Sequence, residues 1–220
     1  MKIGIIGSGN MGGSLGKLWA KAGHQVIFSH SRDLQKLKHL ATTAGTNARA
    51  GSPGEAIAQS DAVLLALNPA VIEEVLGTTA LDQESQLAGK VVISCMSDLK
   101  PDFTGQTIGI ATDLKISIAE TVQQMAPAAH VFEAFNLTFA EIAASESRQF
   151  GLDKPSIFYC GDHPGSRATV ETLIEDCGYQ PIDAGGLIVS RSLETLASVW
   201  VQFAIASQKF GSSGSRVVIV

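Results

Sequence analysis

A chain of 220 residues with 45% hydrophobic side chains can bury one large core or two small ones, which places it among soluble globular proteins. Its formal net charge of −5, with no basic stripe breaking the apolar pattern, argues against a nucleic-acid or anionic-membrane partner. The most apolar late stretch, Leu193 to Ala206, is too short for a bilayer and carries Glu194 and Gln202, so no membrane segment is expected.

The first residues run straight into a strand pattern, Lys2 to Ile6, without the charged, apolar and cleavage regions of a secretory signal. Gly7-Ser8-Gly9-Asn10-Met11-Gly12 follows at once, and Met11, Leu15, Leu18 and Ala22 then recur at helical spacing up to Gly23. A strand feeding G-x-G-x-x-G into a helix is the dinucleotide fingerprint in its required context. Gly7 serves the tight turn, Gly9 the approach of a pyrophosphate and Gly12 the close packing of helix on strand. The phosphates belong at the helix N-terminus.

Gln25 to Phe28 reads as the second strand, and its end selects the cofactor. An acidic residue there would take the ribose 2′-hydroxyl of NAD, whereas an arginine accommodates the 2′-phosphate of NADP. The window is Ser29-His30-Ser31-Arg32, and no carboxylate appears before Asp33. Arg32 offers bidentate donors, Ser29 and Ser31 offer hydroxyls, and His30 stands evenly between a phosphate contact and an exposed strand end. The expectation is NADP(H); the competing structural role has Ser31 capping the next helix and Arg32 solvated.

A helix carrying Leu34, Leu37 and Leu40 follows, then a short strand at Ala48 to Ala50. Ser52-Pro53-Gly54-Glu55 is a capping box with proline at the first helical position, opening a helix to about Gln59. Ala62 to Leu67 and Lys90 to Ser94 read as buried parallel strands, with helix between Val71 and Leu76. Ile116 to Met125 predicts a helix, Val131 to Phe135 a strand, Ser156 to Cys160 another, Ala168 to Cys177 a helix and Tyr179 to Asp183 a strand. The final helix presents Leu193, Leu196, Trp200 and Phe203 on one face. Such alternation predicts an α/β fold of Rossmann type, a doubly wound and mostly parallel sheet extended to about eight strands. Residues 1–140 form the NADP-binding core in this reading, and 141–220 a β/α extension of the same unit.

Ligands in such sheets lie beyond the carboxyl ends of the strands, at the point where strand order reverses. Leu67, Asn68 and Pro69 are therefore expected to flank ribose and nicotinamide. Met96 and Ser97 should reach the pocket after one strand, and Asn136 and Thr138 after another. An asparagine there holds a carboxamide or an acceptor carbonyl through its paired donor and acceptor, while the plainer role for Asn68 and Asn136 is completing a turn. Met96 is more often core filling. Arg191 and Glu194 read as a surface pair on one helix, and Asp162 and Asp183 as turn or cap residues. Cys95, Cys160 and Cys177 have no CxxC spacing or histidine partners, which fits three buried thiols in a reducing cytoplasm rather than a metal site.

Several separated motifs occur in order: Gly7-Ser-Gly9-Asn-Met-Gly12, Ser31-Arg32, Ala134-Phe135-Asn136, Cys160-Gly161-Asp162, Pro181-Ile-Asp183-Ala-Gly185 and Ser190-Arg191-Ser-Leu-Glu194. Nearly end to end the chain resembles the NADPH-dependent reductases of the deazaflavin coenzyme F-420, whose relatives include the cytosolic reductase domain of membrane ferric reductases. The resemblance implies direct hydride transfer between nicotinamide and a deazaflavin, a small-molecule redox partner and a homodimer. Stacking two rings needs no acid, base or nucleophile from the protein, so no catalytic side chain is expected. The chain departs from the family pattern at Ser94-Cys-Met-Ser-Asp98, at Leu67-Asn68-Pro69 and at Gly214 to Val220, positions that frame the acceptor pocket. Two other functions fit the same residues: imine reduction, as in pyrroline-5-carboxylate reductases, and a non-catalytic NADP(H) sensor.

Overall fold

The continuous apolar runs become the centre of one sheet. In a computed structural model that describes residues 1–31, 33–77, 86–101, 108–110, 115–145 and 154–206, β1 (Lys2–Ile6), β4 (Ala62–Leu65) and β5 (Val91–Ser94) lie side by side and are buried on both faces. β2 (Gln25–Ser29) and β3 (Ala48–Ala50) continue the sheet beyond β1, and β8 (His130–Ala134) continues it beyond β5. All of these pair in parallel. β9 (Ser156–Gly161) and β10 (Gln180–Asp183) complete eight strands, in the order β10-β9-β8-β5-β4-β1-β2-β3.

Two features depart from the sequence expectations. β9 pairs antiparallel to β8, so β9 and β10 run against the other six strands. A separate antiparallel hairpin of β6 (Leu99–Pro101) and β7 (Ile108–Ile110) follows β5.

Helices cover both faces because alternate side chains of each strand point to opposite sides. On one face α1 (Asn10–Lys21), α2 (Leu34–Ala44), α6 (Ala140–Ala144) and α7 (Arg167–Asp176) enclose Ile3, Ile5, Phe28, Leu64, Ile93 and Phe132. On the other, α3 (Pro53–Ala58), α4 (Ile72–Gly77) and α5 (Ile118–Met125) enclose Ile6, Val63, Leu65, Val92 and Val131. The Ser52–Glu55 capping box forms as expected, each residue bonding the other's backbone. A second box, Ser117 with Glu120, opens α5.

The last helix, α8 (Ser190–Ala206), buries only part of the apolar face read from its sequence. Leu193, Glu194, Ala197 and Ser198 are buried, Leu196 and Trp200 are half-buried, and the side chain of Phe203 lies outside the described residues. Arg191 does not pair with Glu194. It grips Glu120 through two bonds of 2.7 Å, fastening α8 to α5 and holding the Glu120 carboxyl below its usual range.

Candidate functional site: a glycine cradle and the rim beside it

Gly7 leaves β1 with φ of +104°, a left-handed turn that side chains disfavour, and a Cβ there would sit under 3.0 Å from the Ala66 carbonyl oxygen. A Cβ on Gly12 would likewise fall under 3.0 Å from the Gly7 carbonyl, so α1 starts in contact with the turn. Gly9 differs, since among the described residues nothing lies within 4 Å of the position its Cβ would take. Gly9 and Asn10 are exposed, Met11 packs on the core, no side chain caps the N-terminus of α1 and no acid occupies its first turn. Open space above an uncapped, unopposed helix start is a fit for a pyrophosphate.

Hydrogen bonds draw the tip of β2 to this turn. The Gly7 and Ser8 amides donate to the Ser29 and His30 carbonyls at 3.2 and 3.4 Å, and Ser8 Oγ donates to Ser29 O at 2.8 Å. Ser29 is fully buried and its hydroxyl donates to Ile5 O at 2.7 Å, so it braces the strands beneath the cradle. His30 is exposed with φ of +54°. Ser31 bonds Asp33, and Asp33 caps α2 through the Gln35 and Lys36 amides at 2.8 and 3.2 Å. The cap is thus Asp33 rather than Ser31, and the carboxylate that would oppose a phosphate is turned to the helix amides. Arg32 lies outside the described residues.

Strand order reverses between β1 and β4, where the next residues stand. Leu67 lies against the Gly7 turn. Asn68 is exposed and its Oδ1 accepts from the Ala70 amide at 3.0 Å, capping a single tight turn that begins at Pro69. Met96 is buried in the core.

Beyond β5 and β8 the rim changes character. Ser94 and Glu133 are register partners, and Ser97 and Asn136 each follow three residues further on. Among the described residues the Ser97 hydroxyl and both amide atoms of Asn136 are buried without a hydrogen-bond partner. Phe135, immediately before, is fully buried with φ of +68°. Edge-on packing by Trp19 at 6.0 Å and Tyr179 at 6.2 Å surrounds its ring in that conformation. Thr138 Oγ1 stands 3.4 Å from the Tyr179 hydroxyl.

Glu133, missing from the sequence expectations, and Glu194, expected there in a surface pair, are both buried. Glu133 is fully buried in β8, and Glu194 of α8 reaches the start of α5, where its Oε1 accepts from the Ile118 amide at 2.7 Å. Glu133 stood out only as a lone carboxyl in an apolar strand. Burial pushes the Cys95 and Cys160 thiols up to about 12, with the Glu133 carboxyl adding to the shift, which leaves both unreactive at neutral pH. Cys95 is half-buried rather than fully enclosed.

A doubly wound sheet with a glycine cradle at its switch point defines a dinucleotide-binding protein of Rossmann type. Residues 2–98 match the family described as NADP oxidoreductase, coenzyme F420-dependent. A solved structure of a proposed F420-dependent NADP-reductase from Arthrobacter sp. FB24 is similar, with a TM-score of 0.79 and 25% identity over 94% of this chain and 95% of that one. Metalloreductase STEAP3 of Rattus norvegicus is 25% identical over 89% of this chain, which spans only 36% of that protein. A reductive aminase from Aspergillus terreus, solved with NADPH and ethyl-5-oxohexanoate, shares the fold at a TM-score of 0.65 and 21% identity, over 94% of this chain and 63% of its own. No described helix is long and apolar enough to cross a membrane.

Proposed function

We propose that the chain transfers a hydride between NADP(H) and coenzyme F-420 or a similar planar redox carrier. The observation that carries this reading is the row of groups along one rim: the open cradle at Gly9, then Asn68, then the Ser97 hydroxyl and Asn136 amide, unpartnered among the described residues. The α1 amides hold the pyrophosphate, and residues 30–32 take the adenosine end, with the buried Ser29 bracing the strand beneath them. Ser97 and Asn136 orient the carboxamide or an acceptor carbonyl. When bound, the reduced nicotinamide supplies the hydride, and the protein's part is to hold donor and acceptor carbons roughly 3–3.5 Å apart in a dry site. Residues 1–140 form the NADP-binding core in this reading, and 141–220 extend it. The family resemblance adds a homodimer working in the cytoplasm.

Anaerobic mixing with NADPH and coenzyme F-420 tests the acceptor: the oxidised deazaflavin absorbance should be lost rapidly, and far more slowly with NADH. NADPH binding without bleaching would move the acceptor to flavins or imines. Binding with no consumption by any acceptor would leave a sensor.

The dinucleotide preference has its own test. Arg32→Ala should weaken NADPH binding about 10- to 100-fold, the 1.4–2.8 kcal/mol of a lost charge-assisted contact, and leave NADH binding nearly unchanged. His30→Ala should cost less. Titration of both dinucleotides into the wild type and the two variants reads the preference directly, and an unaltered ratio in Arg32→Ala would refute the assignment.

A further inference from the structure

Strand alternation breaks at the end of β8. Val131 packs on the face covered by α5, and Phe132 and Ala134 pack on the face covered by α1, so a regular strand would send Phe135 back to the α5 side. Its ring instead joins Phe132 and Ala134 on the α1 face, because the φ of +68° turns the backbone left-handed there. A bulky residue keeps such a conformation only where its surroundings enforce it.

Two aromatic side chains from elements distant in sequence do so. Trp19 of α1 meets the Phe135 ring edge-on at 6.0 Å and is itself fixed by donating its Nε1 hydrogen to Leu173 O at 2.8 Å. Tyr179 meets the same ring edge-on at 6.2 Å, and its hydroxyl shares a hydrogen bond of 3.4 Å with Thr138 Oγ1. The Thr138 amide donates to Phe135 O at 3.3 Å, closing a turn whose first inner residue is Asn136. Tyr179 thus touches both ends of that turn, Phe135 by its ring and Thr138 by its hydroxyl.

The reversed strands bring it there. β9 runs against β8, so Ser156 lies beyond Tyr159, the register partner of Ala134, and Gln180 of β10 pairs with Ser156. The start of β10, which Tyr179 precedes, therefore lies at the end of the sheet where β8 finishes.

We propose that Tyr179 is a positioning residue of the hydride-transfer site, its ring and hydroxyl holding the turn 135–138 in the shape that keeps the Asn136 amide at the rim. The proposal rests on the reading of Asn136 as the group that orients a ring. At 1% exposure Tyr179 offers no surface to a ligand, so it acts through Asn136. It also gives the C-terminal extension a part in the chemistry of the core.

Turnover with NADPH and coenzyme F-420 tests the function, and amide exchange tests the geometry without any acceptor. Tyr179→Leu removes both grips and should lower kcat about 10-fold, with the NADPH Kd within about twofold of the wild type. Tyr179→Phe keeps the ring and should lower kcat only about threefold. In Asn136→Leu, where no amide remains to be aimed, the same two changes should leave the residual kcat as it was. Exchange of the Thr138 amide should quicken by similar factors while the β8 amides stay protected. If Tyr179→Leu fails to fold, Tyr179→Phe carries both measurements. Unchanged exchange at Thr138, or equal losses of turnover with and without Asn136, would overturn the proposal. Faster exchange at Thr138 in the variants, with no reduction of coenzyme F-420 by the wild type, would keep Tyr179 as the holder of the turn and overturn the deazaflavin reading instead.

Discussion

Gly9→Ala should fold as the wild type does and bind NADPH poorly, whereas Gly12→Ala should lose both stability and binding. Among the described residues nothing lies within 4 Å of the Gly9 Cβ position, so an added methyl enters the space a pyrophosphate would fill. Surface changes of that kind stay within about 0.5 kcal/mol, while losing the close approach should raise the NADPH Kd about 10- to 100-fold. At Gly12 the methyl would overlap the Gly7 carbonyl oxygen. Strain against backbone costs about 1–3 kcal/mol, or roughly 2–12 °C in Tm for a chain of this size, with binding lost as the turn shifts. Thermal melts beside an NADPH titration separate the two. Wild-type affinity in Gly9→Ala would remove the phosphate from the cradle.

Asn136→Leu should raise stability while stopping turnover. A buried amide without partners costs about 1–3 kcal/mol in the ligand-free protein, and an apolar side chain of similar volume removes that cost. If the amide orients a ring, its loss should lower kcat/KM about 100-fold, near 2.7 kcal/mol of transition-state binding. NADPH oxidation with coenzyme F-420, run beside a melt, reads both effects. Retained turnover would make Asn136 a turn residue only.

The parts of the chain that were legible are those where one local signal sufficed. Continuous apolar runs marked β1, β4 and β5, the Ser52–Glu55 box marked α3, and the glycine loop marked the cradle. Alternating β and α patterns do not encode strand direction, so the reversal at β9 stayed hidden. β6 and β7, three residues each, are too short for any period to register. Phe135 reads as the last residue of a β8 pattern, and only tertiary packing by Trp19 and Tyr179 explains its left-handed backbone. The buried face of α8 includes Glu194 and Ser198, which look like solvent-side residues until their partners are placed.

The reversed strands at the end of the sheet have a consequence for self-association. β10 is the outermost strand there, and it carries Pro181, which has no amide hydrogen to offer an incoming chain. Its last residue, Asp183, is held in an ion pair by Arg167. At the opposite border β3 is three residues long with exposed Arg49 at its centre. A broad, twisted sheet is thereby finished at both margins with residues that discourage templated growth into aggregates.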